Sequence, residues 1–285
     1  HIALFYTIKP NIFGSLAALF IFRKLNVFNF ITGLGTFYFE TKFKKKIIIF
    51  LYKIAFLKSN KVIFQNNNDL DYFVYNKIIS KKKCLIIPGS GVDINFFKFK
   101  ELNIKKKFNL NFLCISRLIK DKGINEFIQA AKMIKKEYPD TTFTLIGSID
   151  LEYNNSLNKD SLKDLNSYIN HINFTENIIN FLEKCDCFVL PSYREGTSRS
   201  LLEAASTGRP IVTTDVPGCN NIVLDNYNGY LCKSQDITSL YDKLKKMINT
   251  EFIIRKKMGI NGRKLIEDTF SNDIVNNKIL ELIDL

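Results

Sequence analysis

The stretch Val189-Leu-Pro-Ser-Tyr-Arg-Glu-Gly-Thr-Ser-Arg-Ser-Leu-Leu-Glu203 carries the most specific chemistry in this chain. An apolar strand ends at Leu190, a loop holds Glu195 and Gly196, and a helix is expected to begin near Ser198 or Ser200. The N–H groups of a first helical turn have no partner inside the helix, so Gly196, Thr197, Ser198, Arg199, Ser200 and Leu201 form a candidate cradle for a phosphate. Glu195 and Glu203 are separated by seven residues. That spacing puts one carboxylate in the loop and the other about a turn into the helix, on the same side. Two glutamates alone would read as a helix-start carboxylate and a surface one; the surrounding Pro-Ser-x-x-Glu-Gly pattern favours a site.

A second element is Ile115-Ser-Arg-Leu-Ile-Lys-Asp-Lys-Gly123, a strand running into a short loop and then a helix. Arg117 and Lys122 can converge there on one anion, with Gly123 letting the backbone turn sharply. Taken singly they are ordinary surface cations. A third group is Lys42, Lys45, Lys46 and Lys53, which at about 100° per residue fall in one stripe of a helix. Phe43, Ile47, Phe50, Leu51, Ile54 and Leu57 lie elsewhere on it. A basic stripe beside a broad apolar face suits a helix lying on an anionic membrane; a core helix with a solvated lysine face fits the same pattern.

Charge separates the chain into two parts. Residues 1–107 hold 19 Lys/Arg against 5 Asp/Glu, whereas residues 108–285 hold 22 against 23. A basic half beside a neutral one points to a surface that meets phosphates, in nucleic acid or in lipid headgroups, although a lysine-rich proteome would give the same count. A nucleic-acid binder would interleave aromatic and basic residues on an exposed surface. The phenylalanines here lie mostly in apolar runs, so no nucleic-acid partner is expected. Six cysteines are scattered through a chain too large to need disulfide staples, and they read as reduced core thiols. Cys185-Asp-Cys187 lacks the spacing of a zinc site.

These residues need strand ends to position them. From Phe112 onward short apolar strands alternate with helices: strands at 112–116, 142–146, 187–190, 211–213 and 229–232, with helices at 124–138 and from Ser200. The first part shows the same rhythm, with strands at 2–6, 27–30, 62–65 and 84–87 and helices at 12–23 and 42–57. Such alternation gives parallel sheets covered on both faces, with ligands at the carboxyl ends of the strands. Two α/β domains follow, joined by a polar linker at 98–107. No apolar run reaches transmembrane length, since 47–57 is broken by Lys53.

The E-x7-E arrangement at Glu195 and Glu203, together with Arg117 and Lys122 at the expected strand end, resembles the family-four retaining glycosyltransferases of the GT-B fold. Thr213-Thr-Asp-Val-Pro-Gly-Cys-Asn220 and Asn226-Tyr-Asn-Gly-Tyr230 resemble the downstream landmarks of their nucleotide-binding domain. Tyr6-Thr-Ile-Lys-Pro-Asn-Ile-Phe-Gly14, with Lys9, and Ile31-Thr-Gly-Leu-Gly35 resemble the group that extends undecaprenyl-diphosphate-linked sugars. The resemblance implies an α/β fold of two Rossmann-like domains facing a cleft: a partial acceptor domain at 1–105, a nucleotide-sugar domain at 106–270 and a crossover helix at 271–285.

It implies that Glu195 faces the donor sugar, that Glu203 binds the nucleotide ribose, and that Arg117 and Lys122 hold the donor diphosphate in place of a metal. No cofactor or metal is therefore expected, and the substrate is a UDP-sugar. The acceptor side would use Lys9, Thr32, Gly33, Gly35, Lys42, Lys45, Lys46 and Lys53. The implied partners are a polyprenyl-diphosphate-linked acceptor and an anionic membrane surface, with the protein peripheral on the cytoplasmic face of a bacterial inner membrane. The family's glycine-rich loop after the first strand is expected to lie upstream of His1, and without it activity is not assured. Relatives also place a histidine near the donor sugar, where this chain has Thr32-Gly-Leu-Gly35; His171 reads as structural. A noncatalytic sugar-nucleotide-binding module and another GT-B enzyme, such as a sugar-nucleotide epimerase, are the alternatives.

Overall fold

The computed structural model describes residues 1–20, 25–103, 109–148, 165 and 167–283. The chain divides into two units: residues 1–91, 195–197 and 273–285 in the first, and 92–194 and 198–272 in the second.

In the first unit, short apolar runs become the parallel strands β1 (Ile2–Tyr6), β2 (Asn26–Ile31), β3 (Ser59–Phe64) and β4 (Cys84–Ile86), in the order β1-β2-β3-β4. Three helices connect them: α1 (Ser15–Leu19), α2 (Lys42–Ala55) and α3 (Asn67–Tyr75). Right-handed crossovers between successive neighbouring strands send all three helices to one face. That face is filled by Ile12, Tyr52, Phe56, Phe64 and Phe73. On the other, Phe28, Phe30, Ile63 and Ile87 pack with Val275 and Leu282 of the C-terminal helix Asn272–Ile283.

Two expectations change here. The strand at residues 2–6 forms but is not buried: Ile2, Leu4 and Tyr6 are 48%, 37% and 42% exposed, because β1 is the edge of its sheet. The helix expected at 12–23 begins as a wide turn at Pro10–Gly14 and continues as α1 only to Leu19, and Arg23 lies outside the described residues.

The second unit holds a six-stranded parallel sheet of order β10-β9-β8-β5-β6-β7. Its strands are β5 (Asn111–Ile115), β6 (Thr142–Ile146), β7 (Asn170–Ile172), β8 (Cys187–Leu190), β9 (Ile211–Thr214) and β10 (Gly229–Cys232). Among the described residues its helices are α4 (Ile124–Glu137), α5 (Ile178–Lys184), α6 (Arg199–Ser206), α7 (Ile237–Asn249) and α8 (Phe252–Leu265); the C-terminal helix of the first unit is α9. The chain starts at β5, builds outward through β6 and β7, then returns to β8 beside β5 and builds the other way. This is the doubly wound pattern, with its switch point between β5 and β8. Ile124, Phe127, Ile128, Ala131 and Ile134 fall on one side of α4 and are buried against the sheet.

Glycines in α8 reflect packing rather than a helix end: a Cβ on Gly259 would sit 2.2 Å from the Gly208 carbonyl oxygen. The six cysteines are all free thiols, and every one except Cys84 is buried.

The first unit ends at Gly91 rather than at residue 105. Val92 N–H donates to the Phe270 carbonyl (2.9 Å) and Asn272 N–H to the Val92 carbonyl (3.0 Å), while Phe97 packs into the second core. The expected linker at 98–107 is bound down over its described part: Lys100 N–H donates to the Thr207 carbonyl (3.2 Å), and Glu101 pairs with Lys256 at 2.5 Å. Residues 104–107, and the expected domain start at 106, lie outside the described residues.

A buried polar cluster ties the first unit together. Asn29 on β2 donates to Asn11 Oδ1 (3.0 Å) and Ser15 Oγ (2.7 Å), accepts from Ser59 Oγ (2.6 Å), and Asn11 donates to the Phe30 carbonyl (2.8 Å). Since each removed partner leaves a buried group unsatisfied, Asn29→Ala should cost about 2–4 kcal/mol and Ser59→Ala clearly less. Chemical unfolding of the two variants under the same conditions measures the difference.

Candidate functional site

The carboxyl ends of β5 and β8 lie side by side, because Phe112 pairs with Cys187 and Leu113 with Phe188. Arg117, exposed, and Lys122, half-buried, both come from the turn that follows β5. Their charges and that of Lys120 act together on Asp121, yet burial outweighs them and raises its carboxyl above the usual range. Gly123 closes the turn at φ 67° and is also the N-cap of α4. A Cβ there would lie 2.0 Å from the Pro191 carbonyl oxygen, so only glycine lets the two segments approach this closely.

That approach is fixed by hydrogen bonds. Tyr193 N–H (2.8 Å) and Ser192 Oγ (3.2 Å) both donate to the Asp121 carbonyl. The Tyr193 hydroxyl donates to Glu126 Oε1 at 2.8 Å, and burial with the Glu126 carboxylate beside it pushes this phenol up. The other oxygen, Glu126 Oε2, is buried and has no hydrogen-bond partner among the described residues. Sequence reading missed Tyr193, Glu126 and Asp121 as positioning residues. The available signal was Glu126, a carboxylate on the apolar side of an amphipathic helix.

Helix α6 follows β8, and its cap residue Ser198 makes no side-chain hydrogen bond to the first turn. Ser198 Oγ instead lies 3.4 Å from Ser200 Oγ, and Ser198 N–H donates to the Gly218 carbonyl (3.2 Å), within the Thr213–Asn220 landmark. The start of α6, with Arg199, Ser200 and Leu201, is thus held from the turn after β9 without a capping oxygen. Glu203 is 9% exposed and 3.7 Å from Arg199. Burial raises its carboxyl to about 7, with Arg199 partly offsetting the effect.

Residues Glu195, Gly196 and Thr197 cluster instead with the first unit. A Cβ on Gly33, whose φ is +117°, would meet Gly196 N at 2.7 Å, and one on Gly196 would meet the Thr32 carbonyl oxygen at 2.0 Å. Asn66 Nδ2 donates to the Gly196 carbonyl at 3.0 Å. The structure therefore brings Thr32 and Gly33 to Gly196, two segments singled out independently in the sequence. Gly35 has φ +50° and open space around it.

Of the expected acceptor-side cations, Lys9 precedes the Pro10–Gly14 turn and is exposed, as are Lys42, Lys46 and Lys53 on α2, while Lys45 sits over the Tyr38 ring at 5.2 Å. His171 holds the Gly147 carbonyl at 2.9 Å through Nε2. Among the described residues no three His, Cys, Asp or Glu side chains group as metal ligands. Asp69 and Asp71 have Asp-x-Asp spacing but lie on α3, where Asp69 is buried against Asn66 and Asp71 is exposed.

The family described as "Glycosyl transferases group 1" matches residues 95–265. Over 97% of this chain and 74% of the relative, the sequence is 31% identical to N,N'-diacetylbacillosaminyl-diphospho-undecaprenol alpha-1,3-N-acetylgalactosaminyltransferase of Campylobacter jejuni. It is 28% identical, over 92% of this chain and 70% of the relative, to UDP-Gal:alpha-D-GlcNAc-diphosphoundecaprenol alpha-1,3-galactosyltransferase of Escherichia coli. Anabaena HepE, solved in complex with UDP and glucose, superposes with a TM-score of 0.82 at 18% identity, covering 99% of this chain and 77% of that one. This likeness supports the fold alone.

Two measurements test the geometry. Because the Glu203 carboxyl titrates higher when folded (about 7) than its ordinary 4.5, its ionisation opposes folding. The cost is absent below about pH 4, grows between the two values and is complete above the folded one. Glu203→Gln should therefore stabilise the protein by about 2–3 kcal/mol near pH 8 and hardly at all near pH 4, by chemical unfolding. Tyr193→Phe should cost about 1–3 kcal/mol, since it leaves both Glu126 oxygens buried without a donor; unchanged stability would remove this pair from the account of the turn.

Proposed function

Because the chain belongs to the group 1 glycosyl transferases, we propose that it is a retaining GT-B enzyme that moves a hexose or N-acetylhexosamine from a UDP-sugar to an undecaprenyl-diphosphate-linked saccharide. The observation that carries this reading is the junction of the Arg117–Gly123 turn with the segment leading to α6 at the β5/β8 switch point. Two cations and an uncapped helix start stand at neighbouring strand ends, which suits a diphosphate. The Campylobacter and Escherichia relatives are named for undecaprenol-diphosphate-linked sugars, which supports that acceptor class.

In this reading Arg117, Lys122 and the N–H groups of Arg199, Ser200 and Leu201, with the Ser198 side chain beside them, stabilise negative charge on the departing UDP, and no metal is needed for it. Glu195, with Gly196 and Thr197 beside it, orients the hydroxyls of the donor sugar, and Glu203 accepts hydrogen bonds from the ribose. The acceptor hydroxyl attacks from the face that the diphosphate leaves, and the leaving phosphate takes its proton. Lys9, Thr32, Gly33 and Gly35 serve the acceptor side. The work takes place at an anionic membrane surface, on the cytoplasmic face of a bacterial inner membrane. Among the described residues no helix is long and apolar enough to cross a membrane.

Mass spectrometry of products, after a panel of UDP-sugars is offered with a lipid-diphosphate disaccharide, tests the reaction; donor hydrolysis without transfer would instead support a binding module. With an active pair in hand, Arg117→Ala should lower kcat about 10²–10³-fold. Glu203→Ala should mainly raise the Kd for UDP, and transfer should persist in EDTA. Equal effects of the two variants on kcat and Kd would remove the division of roles.

A further inference from the structure

The loop at 195–197 lies across the turns that follow β2, β3 and β4 of the first unit, to which it belongs. Gly33 comes after β2, Gln65 and Asn66 after β3, and Gly89 after β4. A Cβ on Gly196 would come within 2.6 Å of Gln65 Oε1, and one on Gly89, whose φ is +75°, within 2.7 Å of Thr197 Cγ2. With the Gly33 contact, the backbone around Gly196 is enclosed. Inside this enclosure Asn66, only 6% exposed, donates from Nδ2 to the Gly196 carbonyl (3.0 Å).

The same side chain caps α3. Its Oδ1 accepts from the Asp69 N–H (2.8 Å), and its Nδ2 also donates to Asp69 Oδ2 (3.1 Å), on a fully buried carboxylate. Capping needs only the oxygen, which serine or aspartate would supply as well. The amide nitrogen is the part that capping does not use. Asp69 fixes which way it points: turned over, the amide would set its oxygen against the Asp69 carboxylate and the Gly196 carbonyl, both acceptors.

We propose that Asn66, oriented by Asp69, is a positioning residue for Glu195. It acts through the Gly196 carbonyl, one peptide beyond Glu195, and the inference rests on the reading above in which Glu195 orients the donor sugar. Gly196 is required by the close approach of Thr32 and Gly33, yet glycine leaves the backbone free to turn. The bond from Asn66 removes that freedom. A carboxylate that orients hydroxyls needs such a hold, since a displacement of about 1 Å can cost about 10²-fold.

Two variants separate positioning from capping. Asn66→Ser keeps an oxygen for the Asp69 N–H and removes the amide donor. The exchange of Asn66→Asp with Asp69→Asn keeps size and net charge, restores a bond between the two side chains in reverse, and leaves the Gly196 carbonyl facing a carboxylate. Calorimetry gives the Kd for UDP, UDP-N-acetylgalactosamine and UDP-galactose, the tighter of the two sugar nucleotides serving as donor probe. Both variants are expected to raise the ratio of donor Kd to UDP Kd roughly tenfold, with the UDP Kd itself unchanged within about twofold. Glu195→Ala should raise the ratio at least as much. Adding Asn66→Ser to it should then move the ratio by less than about twofold, because both changes act through one carboxylate.

An unchanged ratio in the exchanged pair would mean that Asn66 serves only to cap α3, and would overturn the inference. Full additivity with Glu195→Ala, or an equal loss of UDP and donor affinity, would overturn it too. A ratio that Glu195→Ala leaves unmoved would instead sink the role given to Glu195, and this inference with it. Ratios that move as expected, with no sugar reaching a lipid-diphosphate disaccharide, would uphold the positioning and sink the transfer reading.

Discussion

The pairing of β5 with β8 is the contact on which the second unit's site depends. In a doubly wound sheet the chain leaves neighbouring strands in opposite directions at the point where strand order reverses, which opens a crevice at their carboxyl ends. Here the two segments leaving that point are the Arg117–Gly123 turn and the Pro191–Ser198 approach to α6. One supplies side-chain cations and the other backbone N–H groups. Neither would meet an anion well alone, since the cations need a rigid turn and the helix start needs charge beside it. The close approach permitted by Gly123, with the Asp121 carbonyl shared by Ser192 and Tyr193, joins them.

Burial sets the electrostatics. Glu203 lies on the mostly buried helix α6, whose Leu201, Leu202, Ala204 and Ala205 belong to the second core. The same helix position that gives the carboxylate a fixed direction also withholds water from it, which is why its carboxyl rises despite Arg199. Glu126 shows the same cost in another form, with one oxygen satisfied by Tyr193 and one that has no donor among the described residues. Buried carboxylates of this kind are expensive and are kept where they hold or bind something.

The first unit follows a different logic. Its sheet is covered on one face by α1–α3 and on the other by the C-terminal helix, and its polar interior is closed by the Asn11–Ser15–Asn29–Ser59 cluster. With those requirements met internally, the outward side of α2 is free to carry aromatic residues and lysines together. Glycine contacts between Gly33 and Gly196 then leave the loop at 195–197 pressed to the backbone after β2, with no room for a side chain at either position.

The sequence by itself determined the two α/β series, most strand positions and the family. Those features rest on local periodicity and on motifs whose members are close along the chain, as in Glu195 to Glu203 or Arg117 to Lys122. It also determined that Lys42, Lys46 and Lys53 share a stripe of α2. Only the tertiary structure decided which apolar residues of α2 face the core and which face outward, because Tyr52 and Phe50 are equally apolar in a sequence. It likewise decided the unit boundary at Gly91, since the pairing of Val92 with Phe270 and Asn272 joins residues about 180 positions apart. Tyr193 and Glu126 became a pair only once β5 and β8 were neighbours. Contacts between residues far apart along the chain leave no periodic trace in it, and those contacts fix where each charge sits and how much water reaches it.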